Sequence, residues 1–210
     1  MQTCSKQQVR SEWFRSIYTA DKFKVSSKAR FDHLTAIPVL ERYVRDNARE
    51  GLVIVSPDAG RVKVAERFAQ HLTDMSADVA FINKRRPKNT TNVAEAKEVI
   101  GDVEGRLCIL ADDMIDTGGT ICSAAELLYA RGAKEVWAMA THGVLSGPAV
   151  DRLNKSRISR VVLTNTLPLA PEKRIAKFEI LSVAKILADA LSAVFEDASV
   201  SDLFGGENQS

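Results

Sequence analysis

Short, uninterrupted apolar runs alternate with segments of helical period along most of this chain. Leu52, Val53, Ile54 and Val55 form a run rich in β-branched residues that ends in Ser56, Pro57, Asp58, Ala59 and Gly60. From 62 to 72, Val64, Ala65, Phe68, Ala69 and Leu72 recur at helical spacing. Residues 79–82 (VAFI) predict a second strand, and 83–92 a basic, polar loop. Residues 107–111 (LCILA) are wholly apolar and predict a buried strand. A loop and a helix follow, with Ile121, Ala124, Ala125 and Leu128 on the apolar side and Gly132 as the stop signal. Two further strands are expected at 136–140 and 160–164 around a short helix near 147–155, and a long helix at 183–195. Before this series, 34–50 predicts a helix with Pro38 near its first turn and a stripe of Val39, Leu40, Tyr43 and Val44. Strands without in/out alternation, separated by helices, imply a parallel sheet covered on both faces. The predicted class is a single-domain α/β fold.

The first thirty residues break this pattern. They are polar and basic, with seven Lys or Arg against Glu12 and Asp21 and no sustained period. They predict a flexible extension, and 205–210 a short tail. The 210 residues are 45% hydrophobic, enough for a sizeable core, and carry 29 Lys plus Arg against 27 Asp plus Glu. A net charge of +2 argues against nucleic-acid binding through bulk charge. No run of about 18 apolar residues exists, so no membrane span is expected. Cys4, Cys108 and Cys122 are scattered and odd in number, which fits neither a disulfide framework nor a paired metal site. A soluble protein of a reducing compartment, the cytoplasm, is expected.

In folds of this class ligands gather at the carboxyl ends of strands. The segment 108–120 (CILADDMIDTGGT) delivers Asp112 and Asp113 at the end of an apolar strand, then opens a helix through Asp116, Thr117, Gly118, Gly119 and Thr120. Glycines let backbone N–H groups turn inward, and the helix N-terminus adds positive potential; together they form a phosphate cradle. Thr117 and Thr120 add hydroxyl donors. The carboxylates would repel a phosphate, so they suit another part of the same ligand, such as vicinal sugar hydroxyls. The competing structural reading is a turn with Asp and Thr as helix caps.

This segment resembles the phosphoribosyl-pyrophosphate signature of type I phosphoribosyltransferases and of ribose-phosphate pyrophosphokinases. Five further segments resemble the latter in order: VSPDAG at 55–60, NKRRP at 83–87, THGVLSGPAVDRL at 141–153, TNTLPL at 164–169 and SVSDLF at 199–204. The similarity runs in one register from 31 to 204 and includes FDHLTAIPVL. It implies a type I phosphoribosyltransferase-like sheet, the synthetase C-terminal domain. It also implies that Asp112, Asp113, Asp116, Thr117, Gly118, Gly119 and Thr120 hold ribose 5-phosphate. By the same resemblance Asp58, Ala59 and Gly60 form the pyrophosphate loop, with Asp58 as a magnesium ligand. Lys84 and Arg86 belong to the catalytic loop, Arg86 also contacting ribose 5-phosphate. For Asp58 the plain alternative is a turn residue after Pro57, and for 84–86 a solvated basic loop.

The implied reaction moves diphosphate from ATP to ribose 5-phosphate, giving phosphoribosyl pyrophosphate and AMP, with Mg2+ as cofactor. Homo-oligomers, or association with full-length synthetase, are the implied partners. The chain departs from the family in three ways. The family's N-terminal domain, which supplies much of the adenine site, has no counterpart, so impaired activity alone is expected. Residues 18–30 do not match the DLHAxQIQG segment, and His33 is not equivalent to that segment's metal-binding His. Arg61 stands where many family members have a second glycine, either narrowing the loop or adding a cation. His71 and His142 are expected to be structural. The alternatives are a non-catalytic paralogue that binds sugar phosphate within an assembly, or a phosphoribosyltransferase, which would need a base-binding hood.

Overall fold

The computed structural model describes residues 34–85 and 96–204. They divide between two compact units, one of Val39–Ser182 and one that comprises 34–38 and 183–204 of the described residues. In the larger unit a seven-stranded sheet has the order β3-β2-β1-β4-β5-β6-β7. Its strands are β1 (Val53–Ser56), β2 (Asp78–Arg85), β3 (Ala96–Ile100), β4 (Leu107–Ile115), β5 (Glu135–Gly143), β6 (Arg160–Thr164) and β7 (Phe178–Leu181). All neighbouring strands are parallel except β2 and β3, which are antiparallel.

The helices are α1 (Ile37–Asn47), α2 (Val62–His71), α3 (Gly119–Ala130), α4 (Ala149–Lys155) and α5 (Ala184–Phe195). One face of the sheet presents Val53, Val55, Cys108, Leu110, Val136, Ala138 and Val161 to Ile121, Ala124, Ala125 and Leu128 of α3 and to Ala149 and Leu153 of α4. Residues of opposite parity, Ile54, Ile109, Trp137, Met139 and Val162, are equally buried. Here α2 packs on β1 and β2, and Tyr43 of α1 meets Trp137 edge-on at 6.2 Å between ring centroids. Both faces are therefore covered, which is why the central strands read as continuous apolar runs. The smaller unit has its own cluster of Ala190, Ala193 and Val200, with Leu34 and Phe204 packed against it.

Two expectations need correction at the β2 edge. The loop predicted from 83 begins later, because Asn83, Lys84 and Arg85 still belong to β2 and pair with Glu98, Lys97 and Ala96. The antiparallel β3 that supplies those backbone partners is absent from the sequence reading, and it makes the sheet mixed rather than wholly parallel. Gly101 follows β3 at φ +119°, and a Cβ there would lie 2.7 Å from Ala80 Cβ, so the close return against β2 needs glycine. Strand β7 was likewise not anticipated. The α1 helix is shorter than 34–50, and β4 extends four residues past 111. Residues 86–95, and with them Arg86, lie outside the described residues, as do 1–33 and 205–210.

His71 and His142, the two described histidines, each have a side-chain partner. His71 Nδ1 pairs with Glu41 of α1. His142 is buried, with Nδ1 2.8 Å from Thr166 Oγ1. Burial pushes the Cys108 thiol up to about 12 and also raises Cys122, so both behave as small packing groups.

Candidate functional site

The ladder between β4 and β5 continues beyond the apolar run, with Asp112 opposite Ala140, Met114 opposite His142 and Ile115 opposite Gly143. Asp112 and Asp113 therefore stand on a strand, not in a loop, at the carboxyl edge of the sheet. Their side chains are only 15% and 16% exposed. Asp112 Oδ1 accepts the N–H of Asp113 at 2.8 Å. Burial, reinforced by the neighbouring Asp113, pushes the Asp112 carboxyl up to about 7, against a smaller downward pull from Arg61.

After Ile115 the chain turns through Asp116 and Thr117 into α3. Gly118 is the N-cap at φ +71°, a left-handed conformation that glycine adopts without strain, and no side chain caps the helix. The first-turn N–H groups are thus left for something other than a capping residue. The turn is held from behind. Leu145 N–H donates to Ile115 O at 3.1 Å, Ser146 N–H to Asp116 O at 3.0 Å, and Arg152 Nη1 to Thr117 O at 3.0 Å. Asp116, Thr117 and Thr120 are exposed. The sequence reading of Asp and Thr as simple caps is not what this turn shows.

The neighbouring strand β1 ends in the second candidate loop. Ser56 Oγ donates to Asp58 O at 2.6 Å, and Asp58 Oδ1 accepts the Gly60 N–H at 2.9 Å, opening the 3-10 turn Ala59–Arg61. Asp58 thus has one oxygen engaged as a turn cap, as the plainer reading of it predicted. Among the described residues no group of three His, Cys, Asp or Glu is arranged to hold a metal ion. Magnesium bound mainly by substrate phosphates and water needs only one such carboxylate, so the donor set fits a shared ion and not a protein-built cage.

The structure brings Arg61 to the acids. Its Nη2 donates to Asp113 Oδ2 at 2.8 Å, and its Nε lies 3.5 Å from Asp112 Oδ1. Arg61 therefore adds a cation at the site. Its position in place of a glycine was the sequence signal, but its target was not readable. Arg152 is a second residue that sequence reasoning passed over; it lay within THGVLSGPAVDRL with no role attached. Lys84 sits near the carboxyl end of β2, three positions beyond Phe81, the partner of Ser56. By topology, then, β1, β2 and β4 deliver their candidate residues to one edge.

The profile of the phosphoribosyl synthetase-associated domain matches residues 73–205. The chain belongs to the phosphoribosyl synthetase family. A ribose-phosphate pyrophosphokinase of Streptomyces coelicolor is 53% identical over 174 residues, which cover 82% of this chain and 53% of that protein. One from Clostridium acetobutylicum is 49% identical over 178 residues, covering 84% and 54%. The crystal structure of phosphoribosylpyrophosphate synthetase from Mycobacterium smegmatis superposes with a TM-score of 0.73 at 45% identity, covering 81% of this chain and 54% of that one. This family member thus spans about half the length of the curated relatives it matches. Among its described residues no helix is long and apolar enough to cross a membrane.

Proposed function

We propose that this chain binds ribose 5-phosphate at 112–120 and contributes the sugar-phosphate half of a ribose-phosphate diphosphokinase. The observation that carries this reading is the pairing, on one strand end, of two largely buried carboxylates with an uncapped helix N-terminus behind Gly118. The carboxylates accept the sugar's vicinal hydroxyls. The N–H groups of the helix's first turn, with Thr117 and Thr120, take the 5-phosphate.

In the reaction, the 1-hydroxyl oxygen attacks the β-phosphorus of ATP. The bond from that phosphorus to the α–β bridging oxygen breaks, AMP leaves, and the hydroxyl proton is released. Charge builds on the transferred group, and Lys84 and Arg86 neutralise it. The 58–60 loop supports the diphosphate, and Asp58 is the residue that would hold a magnesium ion there. That ion, when bound, supplies further positive charge across the phosphates. The names of the relatives, pyrophosphokinases and synthetases, support this chemistry.

Because the chain covers about half of each relative, the 210 residues assayed alone are proposed to bind sugar phosphate but turn over poorly. Phosphoryl transfer depends on positioning every participant, so half a nucleotide site forfeits most of the rate. Association with a full-length synthetase would complete the site. The test is steady-state AMP release from the 210-residue protein with ATP, ribose 5-phosphate and magnesium, with and without a full-length relative. Release by the chain alone at the relative's rate refutes the poor-turnover proposal. Sugar-phosphate binding with no AMP release by the chain alone, and none beyond the relative's own rate in the mixture, favours a non-catalytic binding subunit.

A further inference from the structure

Arg61 reaches the acid pair from a different strand end, 52 residues before Asp113 in sequence. Its fork engages Asp113 Oδ2 through Nη2 and approaches Asp112 Oδ1 through Nε, the oxygen that also accepts the Asp113 N–H. One oxygen of each carboxylate is thereby occupied. Apart from the side-chain interaction of the two carboxyls with each other, no further hydrogen bond from the described residues reaches either of them. A planar guanidinium can bridge two separate carboxylates in this way, whereas an ammonium acts as a single point charge.

We propose that Arg61 is a positioning and specificity residue, fixing Asp112 and Asp113 so that each turns its remaining oxygen to one hydroxyl of a vicinal diol. The inference rests on the reading of this site as the ribose 5-phosphate site. Two consequences follow from the chemistry. A sugar phosphate lacking one of the two hydroxyls leaves a charged, half-buried acceptor unpaired, so it binds poorly. Without the guanidinium, two adjacent acids share a proton more readily, and a protonated carboxyl presents a donor where the diol needs an acceptor. The groups that face Asp112 here are Asp113 and Arg61, and the upward push on its carboxyl by burial and Asp113 makes the opposing cation matter.

The experiment is calorimetric titration of the 210-residue protein with ribose 5-phosphate and with 2-deoxyribose 5-phosphate, for wild type, R61A and R61K. Wild type is expected to prefer the ribose compound by roughly tenfold or more, the scale of a charge-assisted hydrogen bond. R61A lowers ribose 5-phosphate affinity to near that of the deoxy compound, while the deoxy affinity, held by the phosphate, stays within about twofold. R61K, which restores charge but not the bridge, gives an intermediate ratio. Raising the pH by about one unit recovers a larger part of the ribose affinity in R61A than in wild type, a response that loss of packing would not produce.

An R61A protein that keeps the wild-type ratio, or that loses both sugars equally while still folded, overturns the role of Arg61 and leaves the site reading standing. If R61A does not fold, R61K decides: an unchanged ratio, or equal loss of both sugars, overturns the role. Wild-type protein that binds neither sugar phosphate overturns the site reading, and the inference with it.

Discussion

Two half-buried carboxyls sit at opposite edges of the same sheet and are pushed in opposite directions. At the amino edge burial raises Glu135, but donors outweigh it: Trp137 Nε1 at 2.6 Å and Ser159 Oγ at 2.7 Å hold its carboxyl below the ordinary range. At the carboxyl edge Asp112 meets another acid, and burial carries it up to about 7. The contrast extends to the cations. Arg106, at the amino edge, spends its guanidinium on Gly51 O at 2.8 Å, Leu52 O at 3.1 Å and Asp78 Oδ2 at 2.6 Å. Arg160 lies 4.7 Å over the Trp137 ring and donates to Tyr43 Oη at 3.2 Å. Polar groups at the amino edge are matched to protein partners. At the carboxyl edge an acid pair is only half matched, and the next helix starts without a cap. An edge that satisfies itself stabilises the fold, and an edge left incomplete is where a ligand is needed.

That contrast predicts what substitutions at each edge do. Arg106→Ala should cost about 2–4 kcal/mol of stability, because it strips two backbone carbonyls and a carboxylate of their donor. Urea unfolding would show the loss, while ribose 5-phosphate affinity of the folded protein should stay within about twofold. A large change in affinity would mean the two edges are coupled.

The same contrast marks how far the sequence could be read. Strands β1, β4, β5 and β6 were visible as apolar runs because helices cover both their faces. Strand β3, AKEVI, was hidden because an edge strand carries charge to discourage further pairing, and its Lys97 and Glu98 break any hydrophobic pattern. Strand β7, FEIL, is four residues long with Glu179 exposed, too little to register. The continuation of β4 through Asp112 and Asp113 was hidden because a strand can extend past its apolar core when a neighbour keeps the ladder going. The candidate acids, threonines and glycines were legible from spacing and resemblance. The reach of Arg61 was not, since it depends on β1 lying beside β4.

A smaller effect is expected from pH. Asp112 binds its proton more tightly in the folded state, about 7 against an ordinary 3.8, so the folded protein carries more protons between those values. Its contribution is therefore fully present below about pH 3.8 and is lost as pH rises through about 7. Asp112→Asn should flatten this slope in unfolding experiments from pH 4 to pH 8. A slope that persists unchanged would place the titration elsewhere. Smaller still is Gly118→Ala. The nearest atoms to a Cβ there are 3.6 Å away, so space is adequate and the cost is the positive φ, about 1 kcal/mol. Thermal unfolding should register that cost, and sugar-phosphate binding should weaken several-fold as the cradle shifts.

The central claim is that 112–120 holds a sugar phosphate, and the most direct test is calorimetry with ribose 5-phosphate on wild type and Asp116→Ala. Asp116 is exposed, and its backbone carbonyl, not its side chain, accepts the Ser146 N–H, so the substitution should leave the thermal midpoint nearly unchanged. The resemblance places Asp116 among the residues that hold ribose 5-phosphate, and loss of a charge-assisted contact to a sugar hydroxyl, roughly 1.5–3 kcal/mol, predicts affinity weakened about tenfold or more. Unchanged affinity in a folded Asp116→Ala protein would contradict the assignment of this loop.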